Sequence, residues 1–200
     1  MISRFMGLMF LGSLLVLGAG CASNRYILSE RTSTASPQEA IQRAREYLNG
    51  RSDWHIDCSH FVLACYHSGK MNSYFLHHKG HKHLTYDLNA YLTRNKTRRA
   101  KAADIRPGDI LIFNKTYDIN RDGHINEKDM FTHVGIAESC NDGLLIYIDA
   151  SEDRKPPRIR RRQFSFFNDR FNETVATDRA TGRKIHARET FYAAYEVPKD

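Results

Sequence analysis

A cysteine and a histidine, far apart in sequence, are the residues of this 200-residue chain best suited to chemistry. Cys58 follows Asp57 and leads into the apolar stretch Phe61-Val62-Leu63-Ala64. A thiol in the first turn of a helix sits at the positive end of the helix dipole, which favours the nucleophilic thiolate. Asp57 is of the right type to cap that helix. The Cys58 backbone N–H would then lie near the oxyanion formed on an attacked carbonyl. His133 opens a second apolar stretch, His133-Val134-Gly135-Ile136. Strand alternation turns Val134 and Ile136 towards the core and His133 and Gly135 the other way. A histidine beside a small residue, facing away from the core, suits a general base on a cleft. The two residues would form a nucleophile–base pair that only the fold can assemble. Each taken alone has a plainer reading, a buried structural cysteine and an ordinary histidine.

The elements that would hold the pair are readable from pattern. Ser36-Pro37-Gln38-Glu39 has the residues of a capping box with proline at the first helical position. Ala40, Ile41, Ala44, Tyr47 and Leu48 share a helical face, and Asn49-Gly50 ends it. Asp57 to His67 reads as a second helix, and Leu84, Leu88, Tyr91 and Leu92 mark a third. Pro107-Gly108 is a turn into a strand over 110–113. Thr132 to Ala137 and Leu144 to Ala150 read as a hairpin around Asn141-Asp142-Gly143. Arg158 to Phe166 and Phe191 to Val197 read as later strands. Helices followed by an antiparallel run predict an α+β fold.

Asp57-Cys58-Ser59-His60-Phe61-Val62, Arg106-Pro107-Gly108-Asp109 and His133-Val134-Gly135-Ile136, in this order, resemble the NlpC-type cell-wall cysteine peptidases, which are papain-like. The resemblance spans 36–200 and implies N-terminal helices packed on an antiparallel sheet. It also implies a third catalytic group on the strand after HVGI, just before small residues. Ile148-Asp149-Ala150-Ser151 fits and gives Asp149, where His, Asn or Gln is commoner in the family. A carboxylate there can accept from the imidazole N–H and stabilise the imidazolium. Leu145, Tyr147 and Asp149 share a strand face, which would set Asp149 beside His133. His60 stands where the family has glycine, and an imidazole there is expected to narrow the cleft. Trp54 and His55 occupy the place of the family's oxyanion motif. The implied substrate is peptidoglycan, at stem-peptide or cross-link amides, with no cofactor for the chemistry. Rival readings are an amidase acting on another amide, or an inactive calcium-dependent binding lipoprotein.

Asp118 to Asp129 matches EF-hand loop spacing. Asp118, Asn120 and Asp122, the His124 carbonyl and Asp129 would supply hard oxygen ligands for Ca²⁺, with Gly123 at the sharp turn and Ile125 as anchor. Asp129 replaces the usual longer Glu, and the flanking strand makes this a dockerin-like isolated loop. The plainer reading is a polar surface turn. Because the loop ends just before His133, the ion would act structurally. His77, His78, His81 and His83 could form a zinc site, but Gly80 and the adjacent lysines favour a solvated loop. The basic run Arg154, Lys155, Arg158, Arg160, Arg161 and Arg162 reads as a solvated strand face or a contact for lipid headgroups or wall carboxylates.

Residues 1–20 read as a secretory signal, with an apolar run too short for a membrane span. Gly18-Ala19-Gly20-Cys21 resembles the bacterial lipobox, although Gly18 stands where leucine is usual, and this makes Cys21 the lipidated residue. Residues 21–35 would be a tether. The expected location is the bacterial envelope, on an outer membrane facing the periplasm, as a monomer. The net charge of +7 suits carboxylate- and phosphate-rich partners, and export argues against nucleic acid. Of four cysteines, Cys65 and Cys140 are left either to pair or to act as small buried hydrophobes.

Overall fold

The computed structural model describes residues 34–50, 56–66, 84–151 and 158–198. Cys21, Trp54, His55, the four histidines of 77–83, Arg154 and Lys155 lie outside the described residues. Helix α1 (Pro37–Asn49) starts with the expected capping box: the Ser36 side chain accepts from Glu39 N–H, and Ser36 N–H donates to Glu39 Oε2 at 2.7 Å. Helix α2 (Cys58–Tyr66) is buried along most of its length, and α3 (Leu84–Arg94) is amphipathic.

The sheet has five antiparallel strands: β1 (Ile110–Phe113), β2 (His133–Asn141), β3 (Leu144–Ser151), β4 (Arg158–Ser165) and β7 (Phe191–Tyr195), in the spatial order β4-β3-β2-β1-β7. The β2–β3 turn has φ 49° at Asp142 and 75° at Gly143, the pairing that matches strand twist in a two-residue hairpin. β5 (Thr174–Thr177) and β6 (Lys184–His186) form a separate ribbon, followed by the short helix α4 (Ala187–Thr190). That ribbon escapes pattern reading because its strands are short and polar, and a side chain shapes its turn. Asp178 accepts from both the N–H and the hydroxyl of Thr181 at 2.8 Å.

Both faces of the sheet are covered. On one, the helices bury Ala40, Ala44, Phe61, Val62, Leu88 and Leu92 against Val134, Ile136 and Ile148. On the other, Leu111, Phe113, Ala137, Leu145, Tyr147 and Phe164 form a second, largely aromatic core. This corrects the expectation that the His133 face of β2 turns away from any core. His133 shares its face with Phe113 and Tyr147, and it escapes full burial because β2 begins there. The free thiols of Cys65 and Cys140 belong to opposite cores, so the reading as small hydrophobes holds over the disulfide.

Arg106-Pro107-Gly108-Asp109 is a junction. Gly108 has φ +91°, its N–H donates to the Ala137 carbonyl, and its carbonyl accepts from the Tyr66 hydroxyl. A Cβ there would lie 2.4 Å from Pro37 Cβ. Asp109 is buried and accepts from the Arg106 N–H and, twice, from the Arg99 guanidinium, each at 2.8 Å. One turn therefore docks the start of α1 and the end of α2 onto the sheet. Gly108→Ala combines a left-handed backbone with a steric clash, and should cost about 2–4 kcal/mol in denaturant unfolding.

Candidate active site

Cys58 stands at the head of α2. Asp57 caps it, with Oδ1 accepting from the His60 N–H at 2.8 Å and Oδ2 bonded to His60 Nδ1 at 2.5 Å. Burial works against charge on Asp57, but the His60 side-chain and backbone bonds outweigh it and hold the carboxyl below its usual value. The imidazole of His60 is thus spent on the cap. Asp57, Cys58 and Ser59 line the adjoining cavity, and His60 is not among its described lining residues.

The cavity measures about 500 Å³ and opens between the head of α2, the start of α3 and the end of the sheet. Cys58, His133 and Asp149 all line it. Asp149 lies opposite Gly135 on β2 and so diagonal to His133. The small residue is needed, since a Cβ on Gly135 would sit 3.0 Å from the Tyr147 ring and 3.5 Å from Asp149 Cβ. His133 Nε2 and Asp149 Oδ2 are 2.8 Å apart, with Asp149 fully buried. This leaves Nδ1 turned away from Asp149, and Cys58 acts on the His133 ring as a nearby charge. Burial alone would strip the proton from His133. The thiolate charge of Cys58 and the bond to Asp149 outweigh it and raise the imidazole to about 10. The arrangement can hold His133 as imidazolium at neutral pH on the same cavity as Cys58, which places a proton donor beside a candidate nucleophile.

Arg162 is the residue that sequence reading assigned wrongly. Its basic run was expected to be solvated, yet Arg162 is buried and its Nε lies 3.1 Å from Asp149 Oδ2. Asp149 therefore faces His133 from one neighbouring strand and Arg162 from the other. Strand alternation carried the signal: Arg162 shares a face with core residue Phe164, whereas Arg161 turns outward to Glu138. Arg158 at the strand's start is exposed, as the solvated reading expects.

The loop over 118–129 folds on its own side chains. Asp118 accepts from the Asp122 and Gly123 N–H groups at 3.2 and 2.8 Å, and Gly123 has φ +90°. Asn120 Oδ1 accepts from the Asp122 N–H at 3.0 Å, and Asp122 Oδ1 accepts from the His124 N–H at 3.0 Å. Asp129 is buried and clamps the loop through the N–H groups of Ile119 and Asn126, at 2.9 and 2.8 Å. The donor set is all oxygen, which fits a hard cation. Among the described residues, no three His, Cys, Asp or Glu side chains are gathered as around a metal ion. Ile125 anchors the loop, with its N–H donating to Asp178 at 2.8 Å, a bond that helps hold the Asp178 carboxyl below the usual range.

No protein-family model, curated protein or solved structure matches this chain. The case for its chemistry therefore rests on motif order and on the geometry above.

A folded-state value above the ordinary 6.5 means that the His133 proton stabilises the fold fully below that pH, and that this contribution fades as pH rises towards about 10. Asp149→Asn removes one cause of the elevation. It should move the His133 ring titration to lower pH by NMR, and an unchanged midpoint would exclude Asp149 as its charge partner. Arg162→Met removes one of the two cationic partners of a buried carboxylate and should cost about 3 kcal/mol in unfolding.

Proposed function

We propose that this chain is a papain-like cysteine peptidase of the NlpC type that cleaves amide bonds in peptidoglycan stem peptides or cross-links. The observation that carries this reading is the meeting of Cys58 at a helix head, His133 and Asp149 on one cavity, with His133 Nε2 2.8 Å from Asp149 Oδ2. A buried structural cysteine has no need of such a partner. The order of the three motifs supplies the substrate class by resemblance, often the bond between D-glutamate and diaminopimelate.

In this mechanism the Cys58 thiolate attacks the carbonyl carbon. The carbonyl oxygen takes the negative charge and is met by the Cys58 backbone N–H at the positive end of α2. The tetrahedral species collapses, the C–N bond breaks, and His133 gives its proton to the leaving amine. A thioester remains. His133 then takes a proton from water as the hydroxyl adds to the thioester carbon, and the thiolate leaves. Asp149 orients the ring and stabilises its charged form, and Arg162 holds Asp149 in place. In this reading the chain is a monomer anchored by lipid at Cys21 on an outer membrane facing the periplasm. Its basic charge suits an anionic wall.

Ca²⁺ enters as a structural ion. Asp118, Asn120, Asp122, the His124 carbonyl and Asp129 would hold it, and it would stiffen the segment that leads into His133.

Isolated peptidoglycan treated with the protein should release fragments whose masses name the bond, and Cys58→Ala should release none. Fragments persisting in the variant, or absent with wild type, would refute the peptidase reading. Calcium should raise both the melting temperature and the cleavage rate relative to chelator, and equal values in the two would remove the ion from the scheme.

A further inference from the structure

Beside the nucleophile lie two hydroxyls that the mechanism has not used. Ser59 in α2 and Thr85 in α3 are both buried, and their oxygens are 2.8 Å apart. Each oxygen also lies 3.9 Å from Cys58 Sγ. Both residues line the cavity.

Proton counting decides what such a pair can do. Two hydroxyls bonded to each other use one of their two protons in the bond. The second is left over. In a buried setting an unused donor is costly, so it must point at something. Among the described residues, the polar atom that both hydroxyls approach is the Cys58 sulfur, at a distance too long for a strong bond. With Cys58 Sγ as the weak partner of both hydroxyls, the remaining proton lies on the sulfur's side of the pair, next to the space that the oxygen of an attacked carbonyl would enter. That oxygen is two bonds from the sulfur. A donor a little under 4 Å from the sulfur can thus meet it at the roughly 2.7–3.1 Å that oxyanion stabilisation requires.

We propose that the Thr85 hydroxyl, backed by Ser59, is the second oxyanion donor, acting with the Cys58 backbone N–H. In this assignment Ser59, on the same helix as the nucleophile, is the donor of the 2.8 Å bond between the two hydroxyls, which leaves the Thr85 proton for the oxyanion. Thr85 comes from a different element and closes the site from the α3 side. The proposal rests on the nucleophile reading of Cys58. It adds a catalytic residue from outside the three motifs.

The test compares two reactions of one sulfur. Alkylation by iodoacetamide displaces iodide at a saturated carbon and builds no oxyanion. Acylation by p-nitrophenyl acetate passes through a tetrahedral oxyanion and releases p-nitrophenolate in a burst. In the purified protein, Thr85→Val should slow the acylation burst by about 10- to 100-fold while leaving alkylation within twofold. Thr85→Ser should restore the burst. Thr85→Ala, which removes the hydroxyl without adding a methyl group, should show the same selective loss and serves if the valine variant does not fold. An unchanged burst in Thr85→Val or Thr85→Ala, or a parallel fall of both reactions, would overturn the assignment; the parallel fall would place Thr85 on the thiolate instead. A burst that survives Cys58→Ala would show that Cys58 is not the nucleophile, a separate failure that removes the basis of the proposal too.

Discussion

The fully buried carboxylate of Asp149 is the constraint around which this structure is arranged. A carboxylate deep in a sheet is tolerated only with charged partners, because desolvation in a low-dielectric interior costs several kcal/mol. Here one oxygen faces both His133, on β2, and Arg162, on β4. Three neighbouring strands must keep register for that oxygen to meet both partners. Gly135 leaves the room, and Tyr147 and Phe113 belong to the core on the same face. The other oxygen, Oδ1, has no hydrogen-bond partner among the described residues.

Much of the scaffold was legible because it follows local rules. The capping box of α1, strand β1 and the hairpin with its Asp142-Gly143 turn came directly from residue type and period. Cys58, His133 and Asp149 were legible as types on separate elements. What the sequence could not reveal was which side of the sheet is closed. A one-sided sheet predicts a free face for His133. The second core comes from Leu111, Phe113, Tyr147 and Phe164, which alternate along strands that otherwise look half-exposed. Arg162 was hidden for a related reason. Within a run of arginines composition outweighs period, and only the Phe164 that follows two residues later marks the buried face. The Asp57–His60 bond was hidden too: the sequence shows a bulky replacement for glycine, and only the fold shows its own neighbour Asp57 drawing it onto the helix cap.

The excursion between β1 and β2 is closed at its base. The Thr132 N–H donates to the Phe113 carbonyl at 2.9 Å, and the Thr116 N–H and hydroxyl both reach Thr132 Oγ1 at 2.9 Å. The ribbon β5–β6 is fastened to the far end of that loop through Asp178 and through the Ala180 N–H to the Gly123 carbonyl at 3.2 Å. Thr116, Tyr117, Thr132 and Val175 all line the cavity, so two peripheral segments share one wall. Stiffening either one reaches the site without touching the three reacting groups.

Cys58 belongs to the helical layer and His133 to the sheet, with the nucleophile's helix packed on the face opposite the imidazole. The gap between sulfur and ring nitrogen therefore depends on the thickness of the apolar filling between two layers. Val62, Ile136 and Ile148 act as spacers. A methylene gained or lost among them would change how far His133 stands from Cys58 while the fold stayed intact, so the proposed chemistry would be tuned from the oily interior as much as from the polar rim.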